Sequence, residues 1–159
     1  MEPNGPHAKN LRKGRFSALG LVYALTKCTR GRERLFSADG PGASAAGCII
    51  ATIEAMDQRG IWTCFGYVVM PDHMHAVVKL RSADLSGAVK LFSMLTTREV
   101  NIVLGRQGAL WQPGFHDHAL RSEQSLENHL RYIHQNPVRA GLVNAAENWP
   151  HGTLLFGNG

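Results

Sequence analysis

Cysteine is scarce in this chain, and the few copies are scattered. Cys28, Cys48 and Cys64 make an odd number, and no two of them form a C-x-x-C pair. This pattern argues against both a disulfide framework and a cysteine zinc site. Since a chain without disulfides is typical of a reducing compartment, we expect a cytoplasmic protein.

Long apolar runs are also lacking. No segment approaches the roughly 20 apolar residues that a membrane helix needs, and the charged first residues are not followed by an apolar run of signal-peptide length. The sequence therefore predicts a soluble protein without a membrane partner. No Walker loop or other glycine-rich nucleotide-binding motif is present, so chemistry that needs bound ATP is not indicated.

Acidic residues are outnumbered. The 12 Asp and Glu residues stand against 17 Lys and Arg residues, which gives a formal net charge of +5. This balance favours a polyanionic partner such as nucleic acid, although many basic proteins bind none.

The chain length suits a single domain. The 159 residues are 44% hydrophobic, enough for one core of ordinary size. Residues 1–15 are predicted to form a loosely ordered basic arm, and residues 16–159 the domain itself. The arm contains four cations that either contact phosphates or belong to a solvated tail: Lys9, Arg12, Lys13 and Arg15.

Hydrophobic periodicity predicts the order of the secondary-structure elements. Strands are expected over residues 16–26, 61–70, 73–80 and 115–121, and helices over residues 43–59, 84–104 and from residue 122 to about Pro137. Only Pro71 and Asp72 separate the second and third strands, which predicts an antiparallel hairpin. The order is that of an α+β fold, a ferredoxin-like antiparallel sheet with helices packed on it, followed by an appended C-terminal helix that carries a tyrosine.

Two histidines lie two residues apart in the strand HMHAVVKL. Because a strand alternates its faces, His73 and His75 should project side by side. That geometry suits a metal ion, but two ligands alone do not make a site. The alternative is a pair of half-exposed strand histidines satisfied by hydrogen bonds.

The last helix places a tyrosine beside a carboxamide. Leu126, Leu130 and Ile133 form an apolar stripe that should face the core. On a helical wheel His129, Tyr132 and Asn136 share a flank, with Tyr132 and Asn136 one turn apart. A tyrosine in this position is either a packing residue near a helix end or a phenolic nucleophile beside an oxygen ligand.

Four segments together resemble a known family. VMPDHMHAVV is similar to the histidine signature of single-tyrosine HUH transposases, and YIHQNPVRAGLV is similar to the tyrosine helix of the REP-associated tyrosine transposases within that group. TRGRERLF and WQPGFHDHALR resemble further segments of the same family. The resemblance spans roughly residues 16–150.

The resemblance implies both an activity and a site. It makes His73 and His75 ligands of a divalent ion, Mg²⁺ or Mn²⁺, with Asn136 at the position of a carboxamide ligand and Tyr132 as the nucleophile. The implied protein is a metal-dependent single-stranded DNA endonuclease and transesterase that acts at hairpin DNA through a 5′-phosphotyrosine, as a monomer or homodimer. The alternatives are a hairpin-binding protein without catalysis and a relaxase-like replication-initiation nuclease.

Further residues are candidates for DNA contact. Five arginines together could track a phosphate backbone, although each alone is equally consistent with plain surface: Arg98, Arg106, Arg121, Arg131 and Arg139. Of these, Arg98, Arg121 and Arg139 are expected to contact DNA together with the arm. His116 and His118 form a second H-x-H, for which a structural or DNA-facing role is favoured over a second metal site. Three tryptophans are expected in the core rather than stacked on bases: Trp62, Trp111 and Trp149.

Overall fold

The computed structural model describes residues 21–154. Five strands and four helices lie in this part of the chain. The strands are β1 (Val22–Cys28), β2 (Trp62–Met70), β3 (His73–Leu80), β4 (His116–Leu120) and β5 (Gly152–Leu154). The helices are α1 (Gly40–Gln58), α2 (Leu85–Leu104), α3 (Glu123–His134) and the short α4 (Asn136–Arg139).

The strands form one antiparallel sheet in the order β4-β1-β3-β2-β5. The first four strands with α1 and α2 have the β-α-β-β-α-β order, which confirms the predicted ferredoxin-like fold. β2 and β3 form the predicted hairpin, in which Met70 pairs with His73 across Pro71 and Asp72. β5 was not predicted and extends the sheet beside β2.

Each face of the sheet is covered by different helices. On one face, α1 and α2 contribute Ile49, Ile53 and Phe92 to a buried cluster that also contains Trp62. On the other face, α3 covers β2 with the predicted stripe Leu126, Leu130 and Ile133, packed against Val68 and Met70. Each such side chain stabilises the fold by about 1.5–3 kcal/mol when fully buried. The tyrosine helix is therefore held on the sheet by its apolar stripe.

Local signals set the bounds of the helices. The carboxylate of Asp84 accepts a hydrogen bond from the Gly87 amide and caps α2, and Gly105 ends that helix with a φ of 61°. Ser122 and Ser125 exchange hydrogen bonds between side chain and backbone at the start of α3. This reciprocal cap fixes the register from which Tyr132 is counted.

Several predicted boundaries shift. The first helix begins at Gly40 instead of residue 43, because Pro41 is tolerated in its first turn. The first strand continues to Cys28, and its predicted start at residues 16–20 lies outside the described residues. Pro137 was predicted to end the last helix, which is wrong. α3 ends at His134, and Pro137 lies in the first turn of α4, where no N–H is needed.

Within residues 21–154, no helix combines the length and apolar character required to cross a bilayer.

Candidate active site

His73 and His75 project side by side from β3, as predicted. Their ring centroids lie 4.9 Å apart, and the rings are nearly perpendicular at 84°. His75 lies opposite Thr26 of β1 and Val68 of β2, so the pair is on the face of the sheet that α3 covers.

Both imidazoles have the Nδ1 atom engaged in a hydrogen bond. His73 Nδ1 lies 2.7 Å from Asp72 Oδ1, and His75 Nδ1 lies 2.8 Å from Thr26 Oγ1. Since a carboxylate only accepts, His73 donates through Nδ1, and in a neutral ring the lone pair is then on Nε2. Hydrogen bonds of this kind fix the tautomer and the ring orientation of histidines that bind metals.

The electrostatic surroundings keep His75 neutral. The pKa of His75 is lowered to about 3, and burial is the largest cause. Charged neighbours, chiefly His73, contribute to this shift in the same direction. Because metal ions bind the neutral imidazole, His75 is in the form required of a ligand at neutral pH.

Arg32 supports the carboxylate that holds His73. Its Nε donates to Asp72 Oδ2 at 3.0 Å, and its Nη1 donates to the Cys28 sulfur at 3.2 Å. Burial alone would raise the pKa of Asp72, but the hydrogen bonds from His73 and Arg32 outweigh this effect and lower it. The carboxylate therefore stays ionised and available to His73.

The tyrosine flank of α3 lies near the imidazole pair. His129 and Arg139 are both among the charges that lower the pKa of His75. Burial, together with the charge of His118, also lowers the pKa of the half-buried His129. The ring centroids of His129 and Tyr132 are 5.9 Å apart. The apolar stripe beneath these residues packs against β2, next to the strand that carries the imidazole pair.

Tyr132 is the accessible tyrosine of the described chain. Its side chain is 55% exposed, whereas Tyr23 and Tyr67 are 2% and 7% exposed. Burial raises the pKa of Tyr23 and raises the pKa of Tyr67 to about 12, so their phenols ionise with difficulty. Tyr132 alone combines exposure with a position near the histidines.

Arg139 joins Tyr132 to Asn136. Its guanidinium carbon lies 3.9 Å from the centroid of the Tyr132 ring, in cation–π geometry. Its Nη2 donates to the Tyr132 carbonyl oxygen at 2.6 Å and to Asn136 Oδ1 at 3.3 Å. Asn136 lies one turn beyond Tyr132, as predicted, and its amide oxygen faces Arg139 in this structure.

Within residues 21–154, no three side chains of His, Cys, Asp or Glu are grouped as a metal site. An ion held by the two imidazoles would need a ligand of another type, such as a carboxamide, a water or a phosphate oxygen of the substrate. The donor set fits a divalent ion with two protein nitrogens and open positions. Whether Asn136 contributes its oxygen stays a prediction.

The other candidate residues are dispersed. Arg139 belongs to the tyrosine flank, but Arg98 lies on α2 at the opposite face and Arg121 follows β4 at the end remote from His116. Lys9, Arg12, Lys13 and Arg15 lie outside the described residues. The structure does not bring the three described arginines into one patch.

The second H-x-H lies on the same face as the first. His116 pairs with Thr26 and His118 with Ala24, and both are exposed, with Asp117 buried between them. The three tryptophans are buried, and each Nε1 atom donates to a protein acceptor. This confirms the expectation that they belong to the core.

Sequence reasoning missed the residues that orient the histidines. Asp72 was interpreted only as a turn residue, although its place directly before His73 is a usable signal. Thr26 is 49 positions from His75 and reaches it only through the register of β1 and β3. Arg32 is likewise distant in sequence from Asp72, and nothing in the sequence links them.

Two curated proteins are similar to this chain in sequence. An Escherichia coli REP-associated tyrosine transposase is 31% identical over 88 residues, which are 55% of this chain and 52% of the relative. A Haemophilus influenzae protein, described provisionally as a REP-associated tyrosine transposase, is 31% identical over 97 residues, 54% of this chain and 55% of the relative. The chain thus spans about half the length of these curated relatives.

Solved structures share the fold. The structure of a REP-associated tyrosine transposase bound to a REP hairpin matches with a TM-score of 0.67 and 24% identity, over 86% of this chain and 78% of that one. A Deinococcus radiodurans structure, provisionally assigned as a transposase, matches with a TM-score of 0.52 and 19% identity, over 76% of this chain and 93% of that one.

A family model adds the assignment. The model described as "Transposase IS200 like" matches residues 19–136, a range that contains His73, His75, Tyr132 and Asn136. Because this match covers well over half of the chain, the protein belongs to the IS200-like transposase family.

Proposed function

We propose that this protein is a metal-dependent single-stranded DNA endonuclease and transesterase that acts at hairpin DNA. The observation that carries the proposal is the exposed Tyr132, on a helix packed against the sheet face that carries the two oriented imidazoles. A pure DNA-binding protein needs neither the exposed phenol nor the hydrogen bonds that orient the two histidines. These features therefore favour a catalyst over the non-catalytic alternative.

His73 and His75 would hold a divalent ion, Mg²⁺ or Mn²⁺, through their Nε2 atoms, with Asn136 as the candidate third ligand. When bound, the ion supplies Lewis acidity toward the scissile phosphate. Thr26 and Asp72 hold the two rings in the orientation that leaves both Nε2 atoms directed away from the strand.

The reaction follows from the phenol and its position. The Tyr132 oxygen attacks the phosphorus and forms a new P–O bond, while the bond from phosphorus to the 3′ oxygen breaks. The phenol loses its proton, and the 3′ oxygen leaves as a hydroxyl after gaining one. The product is a 5′-phosphotyrosine and a free 3′-hydroxyl, so the phosphodiester energy is retained for rejoining without ATP.

Charge supports DNA as the substrate. The formal net charge is +5, and Arg139 adds a cation directly beside the nucleophile. The hairpin form of the substrate is proposed from the likeness to the relatives described above.

A labelled-oligonucleotide assay tests the proposal. Hairpin oligonucleotides from the DNA flanking the gene are labelled at the 3′ end, since the covalently held fragment retains that end, and incubated with Mn²⁺. We expect a protein–DNA adduct that survives denaturation, absent with EDTA and absent in Tyr132→Phe. Binding by Tyr132→Phe should be unchanged, because one hydroxyl is lost from an exposed ring.

Tyr67→Phe is the matched control, and it should still form the adduct. Wild-type cleavage by Tyr132→Phe would assign the nucleophile to another residue. Tight hairpin binding with no adduct in any divalent metal would favour the non-catalytic alternative.

A further inference from the structure

A small pocket lies beside the paired imidazoles. It has a volume of about 230 Å³ and is lined by Thr26 and Cys28 of β1, the loop 112–115 and His116 of β4. Because Thr26, Cys28 and His116 share a side of the sheet by register, the pocket lies on the same face as His73 and His75.

Thr26 connects the pocket to the histidine pair. The hydroxyl of Thr26 lines the pocket and lies 2.8 Å from His75 Nδ1. Cys28 pairs directly with His73 across the sheet, and neighbouring strands are about 4.8 Å apart. A group in the pocket would therefore lie within about one nucleotide of a phosphate held at the imidazole pair.

The walls of the pocket are held in place. Lys27 is buried on the opposite side of β1, and its Nζ donates to the carbonyl oxygens of Gln112 at 3.2 Å and Gly114 at 2.7 Å. The backbone N–H of Gln112 also donates to the Cys28 carbonyl oxygen at 2.8 Å. These bonds tie the loop to β1, so the pocket is formed before any ligand arrives.

The chemistry of the pocket suits one planar heterocycle. Its volume of about 230 Å³ is below the roughly 300–1,000 Å³ of pockets for drug-sized ligands, which fits a single ring system. In the described part of the chain, the Gln112 carboxamide has no hydrogen-bond partner. A carboxamide offers both a donor and an acceptor, the combination that recognises the edge of a nucleobase.

We propose that this pocket binds the unpaired base of the nucleotide next to the scissile phosphate, and that Gln112 recognises its edge. The inference rests on the proposed function, since it assumes a single-stranded DNA substrate at the imidazole pair. It assigns to the loop 112–115 a part in choosing the cleavage position.

An abasic scan tests the proposal. A series of hairpin oligonucleotides carries one abasic nucleotide at each position around the cleavage site, and binding is measured with Tyr132→Phe and single-turnover cleavage with the wild type. At one position next to the scissile phosphate, we expect the abasic change to weaken binding or cleavage by about tenfold, as for loss of one base contact. Combined with Gln112→Ala, the same abasic change should cost less than threefold.

Gln107→Ala is the matched control, because Gln107 is an exposed loop glutamine that does not line the pocket. Its abasic profile should equal that of the wild type. His116→Ala serves as a second pocket variant if Gln112→Ala lowers the melting temperature.

The outcomes separate the two proposals. If the abasic profile of Gln112→Ala matches the wild type at every position, the pocket is not a base site. If no oligonucleotide is cleaved, the proposed function fails, and the binding series with Tyr132→Phe still decides whether the pocket reads a base.

Discussion

At the scale of single residues, the backbone of Arg32 is unusual. Its φ of 54° lies in the left-handed region, and it is the non-glycine residue of the described chain with a positive φ. This conformation costs an L-residue about 1–2 kcal/mol. The strain occurs where the side chain reaches Asp72, which in turn holds His73. Strained backbone of this kind is concentrated at functional sites.

We therefore predict opposite effects of Arg32→Gly on stability and on metal binding. Glycine adopts a positive φ without strain, and the partly exposed Arg32–Asp72 ion pair is worth only about 1 kcal/mol. The melting temperature should stay equal or rise. The Mn²⁺ dissociation constant, measured by electron paramagnetic resonance of free Mn²⁺, should increase by up to about tenfold as Asp72 loses its support.

Arg34→Gly removes the same charge from an exposed neighbour and provides the control. If Arg32→Gly and Arg34→Gly bind Mn²⁺ equally well, Arg32 does not act through Asp72. A lower melting temperature for Arg32→Gly alone would mean that its contacts outweigh its backbone strain.

The residues of the site differ in how far sequence could predict them. His73 and His75 follow from strand alternation alone, since both sit in one strand. Tyr132 and Asn136 follow from the helical period. Thr26 could not be found this way, because its contact with His75 depends on the register between two strands that are distant in sequence.

At the scale of elements, the corner between α3 and α4 decides the role of Asn136. Asn136 does not simply terminate the tyrosine helix, because α3 already ends at His134 with Gln135 as its C-cap, and α4 starts at Asn136 itself. The Asn136 amide oxygen is within 3.3 Å of Arg139 Nη2 and one turn from Tyr132. A binding phosphate would compete for Arg139 and release that oxygen.

We predict that Asn136→Ala raises the Mn²⁺ concentration for half-maximal cleavage by about tenfold, as expected for loss of one site contact. The melting temperature without metal should change little, because Asn136 is only half-buried and alanine suits a helix start. The paired measurement is a Mn²⁺ titration of adduct formation and a thermal melt in EDTA. A lower melting temperature with an unchanged Mn²⁺ requirement would remove Asn136 from the proposed metal site.

Asn128→Ala is the control for this experiment. Asn128 is exposed on α3, where its side chain accepts from Gln124, so its loss should leave the Mn²⁺ requirement unaltered.

Most elements were predictable because each carried a local signal. Runs of apolar, β-branched and aromatic residues marked the strands, and Asp84 and Gly105 marked the ends of α2. β5 has three residues, too few for alternation to appear, and its place is set by tertiary contacts. Trp149 Nε1 donates to the Val69 carbonyl oxygen, and the Val69 amide donates to the His151 carbonyl oxygen. Sequence periodicity cannot report such contacts.

At the scale of the whole molecule, the positions of the charged side chains on the surface were harder to predict than the fold. The strand and helix order fixed the topology, since a right-handed β-α-β-β-α-β chain has few ways to cover an antiparallel sheet. The positions of arginines on the surface carry no such constraint. Arg98, Arg121 and Arg139 accordingly lie on three different parts of the molecule.

This dispersion leads to a prediction on salt dependence. A cation that neutralises one phosphate of single-stranded DNA contributes about −0.7 to the slope of log binding constant against log salt concentration. If the DNA wraps the domain, each of the three arginines contacts its own phosphate and their effects add. We expect the triple variant Arg98→Gln, Arg121→Gln, Arg139→Gln to flatten the slope by about 2.

The measurement is fluorescence anisotropy of a labelled hairpin across a range of NaCl concentrations, with the Tyr132→Phe background to prevent cleavage. Arg131→Gln is the matched control, because Arg131 is 68% exposed on the outer side of α3 and is paired with Glu127 at 3.7 Å. Its slope should equal that of the parent.

A change of only about 0.7 in the slope of the triple variant would confine the phosphate contact to a single arginine. Arg139→Gln alone would then be expected to reproduce it, since Arg139 lies against Tyr132, the proposed nucleophile. An unchanged slope in the triple variant would place the DNA on a surface that none of these arginines reaches.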